Sequence, residues 1–154
     1  VDDRGKANMV DITEKQATQR VAEATATMIM LPETAQAIKQ NQVAKGDVLS
    51  TARIAGVMAA KRTAELIPLC HPLPLTQIKV EFEWLSETAI GIRSLVKTTY
   101  QTGVEMEALT AVAIAGLTIY DMCKAIDREM TISDIKLVAK SGGKSGDFVR
   151  TKEG

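Results

Sequence analysis

Hydrophobic and polar positions alternate most regularly between residues 78 and 84, where Ile78, Val80, Phe82 and Trp84 interleave with Lys79, Glu81 and Glu83. A period of two places the first set on the dry face of a strand and the second on its wet face. A partner strand is predicted over residues 88–98, with the hairpin turn at Ser86-Glu87. Small, β-branched and apolar residues also alternate over residues 22–30, which predicts an earlier strand, and a final strand is predicted near residues 131–140. Between these segments the period is that of a helix. Pro32 suits the first position of a helix, where its missing N–H costs least, and Lys45-Gly46 closes that helix. Asp47 suits the cap of a second helix, with Leu49, Ile54, Val57, Met58 and Leu66 spaced for one face and Pro68 and Pro72 barring its continuation. Thr102-Gly103-Val104-Glu105 fits a capping box that opens a long apolar helix reaching about Asp127.

The order is therefore strand, two helices, strand, strand, helix, strand. If the two early helices form one crossover, this is the β-α-β-β-α-β order of the split β-α-β. The expected fold class is α+β, a ferredoxin-like plait with a four-stranded antiparallel sheet and helices on one face. Residues 1–20 mix charged and polar types without periodicity and read as a flexible arm. Residues 21–141 read as one domain, and residues 142–154 as a Gly- and Lys-rich tail.

Composition narrows the function. A chain of 154 residues, 45% of them hydrophobic, is long enough for one real core, burying roughly 70% of its unfolded surface. Nineteen Lys and Arg balance nineteen Asp and Glu, so there is no global basic field to gather nucleic acid or anionic lipid. Phe82 and Trp84 fall on the core face of their strand, which also argues against a base-stacking RNA-binding sheet. Cys70 and Cys123 are too few for a disulfide scaffold and fit a reducing compartment. The longest apolar stretch, residues 108–120, would span only about 20 Å as a helix, short of a bilayer core. It reads as a buried helix. The first residues are charged and lack an apolar run, so a cytoplasmic location is expected.

Few residues are suited to chemistry. His71 is the one histidine and lies in Leu69-Cys70-His71-Pro72-Leu73. Neighbours on extended backbone point to opposite sides, so Cys70 and His71 make a poor nucleophile and base pair. One His and two Cys at unrelated spacing do not form a zinc set. By itself His71 reads either as a side chain packed at a helix–strand junction or as a general acid/base or substrate hydrogen-bonder on a loop. On the long helix, Glu107 and Asp121 share a face about 21 Å apart. That is too far for one small reacting centre, so if both are functional a larger substrate or a second subunit must bring the groups between them together. Asp121 and Lys124, three positions apart, read by themselves as a surface ion pair, and the capping box accounts for Glu105.

Anion binding has three local candidates. Lys45-Gly46 precedes a helix N-terminus, Lys61-Arg62 forms a dibasic step, and Lys140-Ser141-Gly142-Gly143-Lys144-Ser145-Gly146 alternates backbone donors with lysines. The last is not a P-loop, because the required earlier glycine is Val138. A solvated tail is the competing reading.

Six blocks then carry a resemblance. Lys45-Gly46-Asp47, TARIAGVMAAKRT (51–63), LIPLCHPL (66–73), TGVEMEALTA (102–111), LTIYDMCKA (117–125) and AKSGGKSGDF (139–148) together resemble the cyclic pyranopterin monophosphate synthase family, the molybdenum cofactor biosynthesis protein C family. The arm, the hairpin near Ser86 and the last residues lie outside these blocks and are not expected to bear on the chemistry. The resemblance implies a lyase that converts 3′,8-cyclised 7,8-dihydro-GTP to cyclic pyranopterin monophosphate with release of pyrophosphate. It implies a homohexamer, a trimer of dimers, with sites at subunit interfaces. It further implies Asp121 and Lys124 as an acid/base pair, with His71 and Lys45 as further catalytic candidates. Leu69, Cys70, His71, Met106 and Glu107 are implied to bind substrate, with Glu105, Lys140 and Lys144 in support. No resident metal or other cofactor is expected, although the triphosphate leaves room for Mg²⁺. Two other readings stand beside this one: a regulatory module that binds a nucleotide without transforming it, and a purely structural oligomer.

Overall fold

The alternating stretches form strands. In chain order the elements are β1 (Thr18–Ile29), α1 (Pro32–Lys39), α2 (Val48–Lys61), α3 (Thr63–Leu66), β2 (Gln77–Ser86), β3 (Ala89–Tyr100), α4 (Glu105–Cys123), β4 (Thr131–Ser141) and β5 (Phe148–Val149). The computed structural model describes residues 5–143 and 146–151. The architecture is α+β, with an open sheet in the order β2-β3-β1-β4-β5 and every neighbouring pair antiparallel.

The sheet therefore has five strands where four were expected. Phe148 and Val149 pair with Lys140 and Ala139 on the free edge of β4. Two residues carry too little alternation to be read as a strand. Gly142, Gly143 and Gly146 all have positive φ, a conformation glycine adopts without a steric penalty, and they lie in the turn that brings the chain back.

The core lies on one face of the sheet. Ala22, Ala24, Ala26 and Met28 of β1 sit opposite Val96, Ser94, Ile92 and Ile90 of β3, and all eight are buried. α4 packs across β1, β3 and β4, while α2 packs on α4 and reaches β2. Short side chains on β1 leave room for the apolar α4. The buried Ser94 hydroxyl donates to the Ala108 carbonyl of α4 at 2.7 Å, which satisfies a polar group that the dry interface could not otherwise solvate.

Three local expectations change. The buried face of α2 consists of Val48, Ala52, Gly56, Ala59 and Ala60, whereas Ile54 and Met58, and Leu66 on α3, are exposed. Close approach to α4 selects small residues and leaves the large ones outside. A Cβ on Gly56 would lie 3.0 Å from the Ala111 carbonyl oxygen, so only glycine fits there without a shift. Next, α4 begins at Glu105 with Val104 as its N-cap, so Thr102 does not cap it and no capping box forms. Val104 is fully buried, and its burial sets the helix start. Finally, α1 ends at Lys39 and α4 at Cys123, both earlier than their expected closures. Beyond α4, buried Asp127 accepts hydrogen bonds from the Leu31 N–H and the Thr34 hydroxyl, both at 2.9 Å, and so tethers the start of α1. The Asp47 cap on α2 forms as expected, accepting from the Ser50 N–H at 3.1 Å.

By length and composition α4 could cross a bilayer, but 56% of its most apolar window is buried inside the fold. That is the environment of a core helix.

Candidate active site

The sheet has two rims, and the chemistry-bearing residues divide between them. The N-terminal end of α4 follows β3 at the rim where β1 begins, Thr18 pairing with Tyr100. The C-terminal end of α4 lies at the other.

At that second rim, Asp121 stands between two lysines. Its carboxylate accepts from Lys45 Nζ at 3.2 Å through one oxygen and from Lys124 Nζ at 3.1 Å through the other, and Lys45 also donates to the Asp121 carbonyl at 3.1 Å. The i, i+3 spacing on α4 supplies Lys124, while the loop before α2 supplies Lys45. The two ammonium groups hold the Asp121 carboxyl below its ordinary range, Lys124 contributing most. All three side chains are at least half exposed. The arrangement is thus a fixed anion presenting two N–H donors to the outside. Lys45 does not serve an anion at the start of α2, because Asp47 already occupies that helix terminus with its own carboxylate.

At the first rim a cleft of about 400 Å³ is lined by Leu69, Cys70, His71, Glu105, Met106 and Glu107. Glu107 is only 2% exposed. Cys70 Sγ donates to its Oε2 at 3.5 Å, and Oε1 is buried without a partner. Burial pushes the Glu107 carboxyl above its usual range. Burial also pushes the Cys70 thiol up to about 11, with Glu107 adding to it, so Cys70 is a thiol and a weak nucleophile. His71 Nε2 lies 2.6 Å from the Val10 carbonyl oxygen, which it meets as a donor. The ring is therefore turned toward the N-terminal segment, away from a pairing with Cys70.

The six residues expected to bind substrate at this rim are therefore brought together, and so are Lys45, Asp121 and Lys124. His71, however, stands with the first group, at the opposite end of α4 from Asp121. Lys140 lies on β4 opposite Ala22 and lines a separate small cleft of about 210 Å³ with Asp147 and Phe148. Lys144 lies outside the described residues. The N-terminal segment was not expected to bear on the chemistry, yet Val10, Ile12 and Lys15 line the His71 cleft. Nothing in the periodicity of residues 8–16 marks them; their place follows from β1 starting at the rim, which brings the preceding chain across the mouth. Among the described residues no three His, Cys, Asp or Glu side chains are grouped to hold a metal.

These two clusters can be set against known proteins. The family model described as the MoaC family matches residues 9–143. The chain belongs to the MoaC family. A protein of Desulforamulus reducens named cyclic pyranopterin monophosphate synthase is 57% identical to it over 99% of this chain and 93% of its own. Proteins of the same name from Brevibacillus brevis and Thermomicrobium roseum are each 56% identical, over 96% and 97% of this chain and 92% and 91% of theirs. The MoaC match begins at Met9, so the arm residues at the cleft mouth fall within the family region.

Proposed function

We propose that this chain is a lyase of molybdenum cofactor biosynthesis that converts 3′,8-cyclised 7,8-dihydro-GTP to cyclic pyranopterin monophosphate and releases pyrophosphate. The observation that carries the reading is near-full-length similarity to proteins named for that product. The regulatory and structural alternatives have no such support.

The grouping of side chains supports this reading. Opening the imidazole ring of the purine and closing a pyrazine ring calls for several proton transfers between nitrogen, carbon and oxygen. Asp121 holds Lys45 and Lys124 in fixed directions. Each lysine then has the carboxylate as its proton exchange partner. Glu107, with one buried oxygen unpaired, is suited to a hydrogen bond with an N–H of the heterocycle, and Leu69, Met106 and Cys70 supply apolar walls. Forming the cyclic phosphate makes a bond from a ribose hydroxyl oxygen to the α-phosphorus and breaks the bond to the bridging oxygen. The hydroxyl proton passes to a base, for which His71 is in reach of the cleft, and the electron pair leaves with pyrophosphate. Lys140 and Lys144 assist with phosphate charge. The reading calls for no resident cofactor, and the triphosphate leaves room for Mg²⁺.

The two clusters lie about 21 Å apart along α4, too far for one substrate within one chain. We infer that the Lys45-Asp121-Lys124 cluster of one subunit meets the His71 cleft of another, in a homohexamer built as a trimer of dimers. Exposed Ile54, Met58, Leu66 and Leu117 supply apolar surface for such contacts. With β3 lying between β1 and β2, and β1 between β3 and β4, the connectivity supports a ferredoxin-like plait extended by β5. Both cysteines are free, which supports a cytoplasmic location.

The test is pyrophosphate release from freshly prepared 3′,8-cyclised dihydro-GTP by the native chain and by Lys124→Ala. Release by the native protein, and at least a roughly hundredfold loss in the variant with its assembly intact, is expected. Binding of the compound without release would turn the reading toward the regulatory module.

A further inference from the structure

Asp127 is 4% exposed and takes no part in the chemistry proposed above. Its carboxyl joins two stretches of chain. Oδ2 accepts from the Leu31 N–H and the Thr34 hydroxyl, each at 2.9 Å, and Oδ1 accepts from the Glu129 N–H at 3.2 Å. In a capping box, a Glu or Gln at the third helical position reaches back to the N-cap N–H. In α1 the N-cap is Leu31, which has no capping side chain, and the third position is Thr34. Asp127 takes up both groups from 96 and 93 positions along the chain. The buried residues of α1 are Thr34, Ala35 and Ile38, so this polar anchor is a large part of what holds the helix. Both arms of the Lys45-Asp121-Lys124 cluster hang from the two joined stretches. α1 leads into the Lys45 loop, which is folded on itself by the Gln42 N–H on the Ala37 carbonyl at 2.8 Å and the Gly46 N–H on the Val43 carbonyl at 3.0 Å. Lys124 is the C-cap of α4. The turn it opens is closed by the N–H groups of Ile126 and Asp127 on the Cys123 carbonyl, both at 3.0 Å, and by the Tyr120 hydroxyl on the Arg128 carbonyl at 2.9 Å.

We propose that Asp127 is a positioning residue for the Lys45-Asp121-Lys124 cluster, splinting the Lys45 loop to the end of α4 so that the two lysines reach opposite oxygens of one carboxylate. The inference rests on the reaction proposed above for its effect on rate, whereas the geometry of the cluster can be read without turnover. All three side chains of the cluster are at least half exposed. A surface ion pair orders such long side chains only weakly, so the backbone frame beneath them decides where the ammonium groups stand. A misplacement of about 1 Å at a reacting group can cost about a hundredfold in rate. An amide at position 127 does not replace the carboxyl, because only one of its two ends accepts. Either the two donors of α1 or the Glu129 N–H is then left facing a donor in a buried place.

Two readouts test this on the native full chain, Asp127→Asn, Thr34→Val and Thr34→Ser: pyrophosphate release from the cyclised nucleotide, and a carbon NMR titration of the Asp121 carboxyl in chains labelled at the aspartate side chain. Asp121→Asn assigns the signal, and Lys45→Ala gives the reference for complete loss of that lysine. The two ammonium groups hold the Asp121 carboxyl below its ordinary range, so a Lys45 loop that drifts away lets it rise. Asp127→Asn and Thr34→Val should lower kcat about tenfold or more and leave KM within about twofold, because the His71 cleft lies at the other end of α4. Both should also move the Asp121 titration toward that of Lys45→Ala. Thr34→Ser keeps the donor and should match the native chain in both readouts. Circular dichroism and sedimentation check fold and assembly, and the Thr34 pair carries the test if Asp127→Asn does not fold. Variants that unfold at a lower temperature yet keep the native kcat and the native Asp121 titration overturn the proposal, as does a fall in kcat with that titration unmoved. If the titration moves and Thr34→Ser restores it, but the native chain releases no pyrophosphate, the reaction falls and the positioning stands. If the native chain converts the nucleotide and neither readout moves in the variants, the positioning falls and the reaction stands.

Discussion

Glu107 and Asp121 are carboxylates on one face of one helix, yet their surroundings drive them in opposite directions. Asp121, exposed and bridged by two lysines, is held ionised. Glu107, buried beside a thiol, is pushed toward its neutral form. The spacing marked both positions in advance, but not this contrast, because the burial of Glu107 depends on Cys70 arriving from a loop far away in the chain. The consequence for stability has a definite sign. A carboxyl whose folded pKa is raised binds more protons in the native state, so its contribution is greatest below the ordinary glutamate range and is lost as pH rises through the raised value. Glu107→Gln removes that loss. Thermal unfolding at about pH 5 and about pH 8 should therefore show a smaller drop for the variant than for the native chain. Its conversion rate should fall to background, because an amide cannot reproduce the carboxyl's hydrogen bonding to the heterocycle in the cleft. An unchanged drop between the two pH values would remove burial of the charge as the dominant effect at Glu107.

The elements show which signals in a sequence survive folding. Strand β2 was legible from alternation alone, since a sheet with one covered face imposes a period of two on its side chains, and β3 followed as its hairpin partner. The partly buried Phe82 and Trp84 pack against the core as that alternation predicted, with the cations of Arg53 and Lys39 over their rings. The face of α2 was not legible, because the rule that large apolar residues point inward fails where two helices approach closely. There the limiting quantity is volume, and Ala52, Gly56 and Ala60 fill it while Ile54 and Met58 remain outside. Gly56→Ala tests the point. Its Cβ would meet the Ala111 backbone oxygen at 3.0 Å and Val80 Cγ2 at 3.1 Å, and the backbone oxygen cannot rotate away. The gain in helix propensity from Gly to Ala is up to about 1 kcal/mol, whereas overpacking costs about 1–3 kcal/mol. A net loss in chemical denaturation is therefore expected, whereas a gain would mean that α2 shifts freely on α4. Glu105 teaches a related lesson: read as half of a capping box, it instead opens the helix and lines the cleft, because burial of Val104 outweighs a hydroxyl cap.

At the scale of the whole molecule, the resemblance named the candidate residues, and α4 decides where they go. One straight helix cannot bring its two ends together, so Asp121 and Glu107 belong to the same chain and to different clusters. If an active centre forms where the Lys45-Asp121-Lys124 rim of one subunit meets the His71 cleft of another, two inactive variants can complement each other. Asp121→Asn disables the Lys45-Asp121-Lys124 rim and leaves the cleft intact; Glu107→Gln does the reverse. Unfolded together, mixed in equal amounts and reassembled, the chains pair at random. A site is then complete only when an intact rim from one kind faces an intact cleft from the other, which happens at about a quarter of interfaces in a closed symmetric assembly. The mixture should recover activity toward that fraction of the native rate, while each variant reassembled alone stays inactive. Recovery also depends on assembly, so it should vanish when an exposed apolar contact such as Leu117 is replaced by a charged residue and the chains sediment as monomers. If the mixture assembles fully yet recovers nothing, each centre is built within a single chain, and the substrate must reach the distant rim by a movement of α4.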